Sequence, residues 1–161
     1  MQTITSKGTS INKTKLPAIY NKIDWESLSC IKGRNILDIG CGRYTDHIKE
    51  FVESKGFRYT GYDPYWATDA DLTKEYDVII CSNVLNVIDD DKAMERVHLQ
   101  VVYHQAPYFI TVYEGDGSGR GRKTGKDTYQ RNQKTIEYAR ADECVRNKVI
   151  TKPLWADLFL K

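Results

Sequence analysis

Apolar blocks along this chain alternate between strand-like and helix-like spacing. Asn35-Ile36-Leu37-Asp38-Ile39 is an apolar run of strand length that stops at Gly40, the pattern of a strand covered on both faces. Tyr44, Ile48, Phe51 and Val52 then fall at i, i+4, i+7 and i+8, one stripe of a helix that Gly56 ends. Arg58 to Tyr62 predicts a second strand, closed by Asp63-Pro64, and Tyr76 to Cys81 a third, strongly apolar one. Asp89-Asp90-Asp91 puts negative charge where a helix dipole favours it, ahead of a helix whose buried face is Met94, Val97, Val101 and Val102 and which Pro107 closes. Tyr108 to Tyr113 is the fourth strand. Strand, helix, strand, strand, helix, strand is the order of a mostly parallel sheet with crossover helices, a Rossmann-like α/β fold.

The segment between Asp63 and Tyr76 has only twelve residues, too few for an ordinary crossover helix and a further parallel strand. The pattern therefore predicts a minimal fold, shortened after the second strand. Beyond Tyr113, residues 114–126 hold five glycines and four basic residues and read as an irregular loop. A polar helix from Asp127 to Arg140 is expected next, and Val145 to Ile150 with Leu154 to Leu160 predicts a closing antiparallel hairpin. One domain over 1–161 results: a helical, basic segment (1–34), a ligand-binding core (35–113), the glycine and arginine loop (114–126), and a helix with hairpin (127–161).

Composition changes this picture little. With 161 residues, 40% hydrophobic and 29% charged, the chain is long enough to bury roughly two thirds of its unfolded surface, which excludes disorder and collagen-like order. No apolar run approaches the ~20 residues of a membrane span, and the polar start from Met1 to Lys15 lacks a signal-peptide core. A soluble, cytoplasmic protein with no membrane partner is expected. Cys30, Cys41, Cys81 and Cys144 lie far apart, without metal-ligand spacing, and read as reduced thiols, Cys81 as a small buried strand residue. His47, His98 and His104 fall on predicted helices rather than at strand ends.

Charge is more informative. Residues 1–35 sum to +4, 36–113 to −6 and 114–161 to +4. If the two basic ends meet, they form a surface that attracts anions. Arg120, Arg122, Lys123 and Lys126 are its candidate phosphate contacts, with Tyr129 a stacking platform.

The most informative motif is Leu37-Asp38-Ile39-Gly40-Cys41-Gly42, a strand entering a glycine turn at the head of a helix. Glycines there permit a tight turn and close approach of a ligand. Asp63 ends the second strand twenty-one positions after Gly42, where a carboxylate accepts hydrogen bonds from both ribose hydroxyls.

These residues resemble the class I S-adenosylmethionine-dependent methyltransferases. The resemblance covers residues 36–113. It implies that Asp38 lies near the methionine ammonium group and that Gly40, Cys41 and Gly42 run beneath the ligand. Gly61-Tyr62-Asp63-Pro64 is similar to the family's second-strand acidic motif, with Tyr65 following. Tyr76 to Ile88 resembles the fourth-strand motif, whose turn would put Asn83 and Val84 beside the donor methyl. Asp71-Leu72, with Asp69 as competitor, resembles the acidic and apolar pair that meets adenine. A dinucleotide is disfavoured: Thr45 stands where a third glycine would pack against pyrophosphate, and Asp38 would repel it while welcoming an ammonium. Lys13-Thr14-Lys15-Leu16-Pro17 and Tyr20 precede the first strand, where the resemblance implies a helix closing over the cofactor, and this opening, the Tyr62 to Tyr65 segment and the Val84 to Val87 turn are similar to those of small phage-type methyltransferases.

The acceptor is less legible. The chain has neither the Asp, Asn or Ser followed by Pro-Pro-aromatic of amino-methylating DNA enzymes nor the Pro-Cys nucleophile of cytosine C5 enzymes. Asn83 remains able to orient an amine or hydroxyl, and Glu114 and Asp116, past the last parallel strand, are the candidate proton acceptors. Methyl transfer to a nucleic acid, DNA first, is the expected activity. The alternatives are a small metabolite or nucleotide acceptor, or a non-catalytic or cofactor-degrading protein.

Overall fold

The computed structural model describes residues 14–113, 115–126, 128–133 and 147–161. Helices α1 (Ala18–Lys22) and α2 (Trp25–Leu28) lead into β1 (Asn35–Ile39), α3 (Asp46–Ser54), β2 (Arg58–Tyr62) and β3 (Val78–Ser82). A 3-10 turn over Leu85–Val87, α4 (Asp91–Tyr103) and β4 (Tyr108–Tyr113) complete the parallel part. β5 (Gly121–Gly125), β6 (Thr128–Arg131), β7 (Asn147–Ile150) and α5 (Pro153–Phe159) follow.

The main sheet has the order β2-β1-β3-β4-β7. β1 runs parallel to β2 and β3, β3 parallel to β4, and β7 antiparallel to β4. Alternate residues of each strand feed opposite faces. Leu37, Ile39, Ile79 and Cys81 pack with Met94, Val97 and Val101 of α4 on one side. Ile36, Val78, Ile80 and Phe109 pack with Ile19, Leu28, Ile48 and Val52 on the other. Burial of each such aliphatic side chain contributes about 1.5–3 kcal/mol, which is why the central strands are apolar at nearly every position. Asp90 caps α4, its carboxylate accepting from the amides of Lys92 (3.2 Å) and Ala93 (3.3 Å), a device worth about 1 kcal/mol. Among the described residues no helix is long and apolar enough to cross a membrane.

The short segment after β2 behaves as its length predicts. Between Asp63 and Tyr76 the chain forms only turns and a bridge between Asp63 and Ala67. The carboxyl-terminal third corrects three expectations. Residues 121–125 are a strand, because β5 finds its partner in β6 through antiparallel main-chain pairing that needs no apolar side chains. The helix expected from Asp127 is, over 128–131, that partner strand, and the remainder of its range from 134 on lies outside the described residues. The closing hairpin is replaced: β7 pairs with β4, and residues 153–159 form α5, with Pro153 in its first turn.

The segment after α1 meets the segment after α5. Ile23 and Leu160 form an antiparallel bridge, the Asp24 amide donates to the Phe159 carbonyl (2.7 Å), and the Lys161 amide donates to the Lys22 carbonyl (2.8 Å). This brace ties the end of α1 to the end of α5.

Candidate functional site

The carboxyl ends of β1, β2 and β3 converge on the glycine turn. Gly40 (φ 76°) and Gly42 (φ 75°) both adopt left-handed backbone, and the amides of Gly40 and Cys41 donate to the Tyr62 carbonyl at 2.7 and 3.1 Å. A Cβ on Gly40 would stand 2.3 Å from Cγ2 of Val84. The glycine thus lets the β3 turn pack onto the β1 turn. Cys41 is buried, and burial together with the nearby carboxylates pushes its thiol pKa far up, so it is no nucleophile.

Asp38 is 2% exposed. Its Oδ2 accepts hydrogen bonds from the hydroxyls of Tyr20 (2.9 Å) and Tyr59 (2.7 Å). Burial drives its pKa up to about 6, against the pull of the two hydroxyls, and the Asp63 charge adds to the rise. Gly61 explains how Tyr59 reaches it. Gly61 pairs with Asp38 in the register, and a Cβ there would lie 2.8 Å from Cys41 Sγ and 3.3 Å from the Tyr59 ring. Neither Tyr20 nor Tyr59 stands out in the sequence as a site residue. Tyr20 is marked only by its place in the segment before β1, while Tyr59 is marked only by the side-chain-free residue two positions on.

Asp63 knits the two turns together. Oδ2 accepts from the Gly42 amide (3.1 Å), and Oδ1 from the amides of Tyr65 (2.9 Å) and Trp66 (3.2 Å). A carboxylate offers about four acceptor positions, so one remains for a ligand hydroxyl. Pro64 is half-buried, Tyr65 and Trp66 are exposed, and the Arg43 guanidinium lies 5.0 Å from the Trp66 ring centre and 5.4 Å from that of Tyr44. Asp71 is turned to its own backbone, accepting from the Thr73 amide (2.9 Å) and hydroxyl (2.6 Å), which lowers its pKa. Leu72 packs on the α4 side of the core.

Asn83, at the end of β3, is one of two described non-glycine residues with positive φ (56°). Its amide donates to the Thr111 carbonyl (2.7 Å), and its Oδ1 is buried without a partner. Strain and an unanswered acceptor on the same residue are what a ligand-facing position shows.

The β5–β6 hairpin is rooted beside this turn, with β6 against the 3-10 turn. Arg131 of β6 is buried, donating to Asp91 Oδ1 and the Asp89 carbonyl, both at 2.8 Å. Arg120, Arg122, Lys123 and Lys126 are exposed. Asp116 accepts from the Ser118 amide (3.0 Å) and Asn132 Nδ2 (2.9 Å). Hydrogen bonds from Ser118 and Asn132 hold its pKa at about 2, so it is an anchor of the hairpin root and a poor proton acceptor. Glu114 lies outside the described residues.

A model of the methyltransferase-domain family matches residues 17–100, more than half of the chain. The chain belongs to that family. Among solved structures, the glycopeptide N-methyltransferase MtfA in complex with S-adenosyl-L-methionine is similar at 12% identity, over 80% of this chain and 75% of that one, with a TM-score of 0.40. A protein described as an S-adenosylmethionine-dependent methyltransferase, from Listeria monocytogenes, is similar at 14% identity over 83% and 77% of the two chains, with a TM-score of 0.34. No curated protein matches.

The methyltransferase domain uses S-adenosylmethionine as its cofactor. The site's own chemistry fits a cationic ligand. Among the described residues, Asp38 is a buried carboxylate whose hydrogen-bond donors are hydroxyls, and the Asn83 Oδ1 is a buried acceptor without a donor.

Proposed function

We propose that this methyltransferase domain transfers the methyl group of S-adenosylmethionine to a nucleic acid, DNA before RNA. The reading rests on one observation: four exposed cations stand on a hairpin whose root packs against the turn that follows Asn83. Phosphates that neutralise Arg120, Arg122, Lys123 and Lys126 would release counterions and hold a polymer beside the donor edge. When bound, S-adenosylmethionine supplies an electrophilic methyl carbon on a sulfonium. The chain's task is then to bind and orient. In this proposal Asp38 faces the donor's ammonium end, the Gly40, Cys41 and Gly42 turn runs beneath the donor, Asp63 takes one ribose hydroxyl at its remaining acceptor position, and Pro64, Tyr65, Asp71 and Leu72 border the adenine. Asn83 and Val84 flank the transferred methyl, and Asn83 Oδ1 accepts a hydrogen from the attacking amine or hydroxyl, fixing its lone pair in line.

The test is transfer of tritiated methyl groups to separated DNA, RNA and metabolite pools, with binding measured across salt. Label is expected in the DNA pool. Changing the four cations to glutamine should leave donor affinity intact and reduce the slope of log affinity against log salt by about 0.9 for each duplex phosphate that the protein no longer neutralises. Label confined to metabolites, with no salt-sensitive polymer binding, would overturn the nucleic-acid reading.

A further inference from the structure

Asp38 sits in the apolar half of the sheet, yet the groups around it are unusual for a buried carboxylate. Facing it are Tyr20 from α1, Tyr59 from β2, Cys41 from the glycine turn and Asp63 at the end of β2. None is a cation. Both hydrogen bonds fall on the same oxygen, Oδ2, and among the described residues no donor reaches Oδ1. A carboxylate left in this way is held ionised by hydroxyl dipoles alone, and it gains most from a ligand that brings positive charge.

We propose that Tyr20 and Tyr59 are positioning residues of the donor site: their hydroxyls keep the Asp38 carboxylate ionised and orient it so that Oδ1 meets the positive charge of bound S-adenosylmethionine. The proposal rests on the reading that Asp38 faces the donor's cationic end. Its distinctive part is that the two phenols come from elements unrelated in sequence. Tyr20 is fully buried on α1, which is itself held by the Ile23 to Leu160 bridge, and its ring stacks on Trp25 at 6.3 Å. Tyr59 is placed by the missing side chain of Gly61. Loss of either hydroxyl leaves packing nearly unchanged and removes half of the hydrogen bonding to Oδ2.

The consequence is a proton linkage. Free Asp38 titrates near pH 6, and a cation binds only its ionised form well. Donor affinity should therefore be constant above that pH and fall tenfold for each unit below it. Each of Tyr20→Phe and Tyr59→Phe destabilises the ionised form, so the break moves upward, by about one unit or more, and affinity at pH 6 falls at least severalfold while that at pH 8 is nearly retained.

The experiment has two readouts. Carboxyl NMR of the ligand-free protein follows the Asp38 titration in wild type, Tyr20→Phe and Tyr59→Phe. Calorimetry with S-adenosylmethionine and with S-adenosylhomocysteine, which keeps the ammonium but has a neutral sulfur, follows affinity from pH 5 to 8. Upward movement of the titration in both variants, matched by the break in affinity, is the expected result. A titration that does not move sinks the positioning role. A titration that moves while affinity stays independent of pH instead sinks the donor-facing reading of Asp38. Asp38→Asn supplies the control: its affinity should be low and flat with pH, and adding either Phe substitution should change nothing further. Because the folded pKa of Asp38 is raised, its contribution to stability is complete below the ordinary carboxylate range and lost as pH rises through about 6. Asp38→Asn should accordingly unfold at a higher temperature than wild type at pH 7, which separates lost affinity from lost folding.

Discussion

The glycine-turn edge and the β5–β6 hairpin stand side by side and are built on opposite terms. At the ends of β1 and β2 the chain answers its own polar groups: three amides bind Asp63, two hydroxyls bind Asp38, and one carbonyl takes two amides of the turn. On the hairpin the main chain pairs, the exposed charged side chains face water, and the root is fastened by Arg131, Asn132 and Gln133. The first arrangement is preorganised, so a few residues should carry most of its binding energy. The second spreads its contribution over several equivalent charges, so it should respond to salt and be insensitive to any single residue.

Three substitutions sharpen or break this contrast. The largest effect is expected from Gly40→Val, which adds a left-handed strain of about 1–3 kcal/mol to an overpacking cost of about 1–3 kcal/mol against Val84. Denaturant unfolding measures it. Gly40→Ala combined with Val84→Ala should recover the packing part and leave the backbone part. Next is Asp63→Ala, which should weaken S-adenosylmethionine by about 1.5–3 kcal/mol in calorimetry and also lower stability, since three amides lose their acceptor. The smallest is Arg131→Ala, costing about 1–2 kcal/mol of stability as the hairpin root loosens. Donor affinity should be unchanged in that variant. A loss there as large as that of Asp63→Ala would mean that the hairpin closes over the donor and the two regions form one site.

How much of this could be read from the residues follows the same division. β1, β3 and β4 are legible because strands covered on both faces must be apolar, and β3 is buried at all five positions. The shortened segment was legible by length alone. β5 was not: all five of its residues are exposed, and Gly121, Arg122, Lys123, Thr124 and Gly125 carry no periodic signal because their pairing is through main-chain groups. For residues 153–159, Pro153 at a first helical position and Trp155 with Phe159 four apart were signals for a helix, outweighed by a strand-like reading of the apolar run. Of the site, Asp38, Asp63 and the glycines were marked by motif, whereas Tyr20 is brought to Asp38 only by tertiary packing across eighteen residues. Gly40 is marked by the motif, whereas its packing against the methyl of Val84, forty-four positions on, is in no local pattern.

The shortened segment also bears on how the molecule behaves among its own copies. With no strand supplied between Asp63 and Tyr76, β2 is an outer strand of the sheet. Outer strands present a row of main-chain donors and acceptors that pair readily with any extended chain, the usual start of aggregation. β2 carries the devices that discourage this. It is five residues long, opens on the charged Arg58, whose guanidinium is steadied by Asn35 Oδ1 at 2.9 Å, and ends where the Asp63 amide and carbonyl are both turned back onto Ala67. The economy that trimmed the fold has made this short strand its guard against self-association.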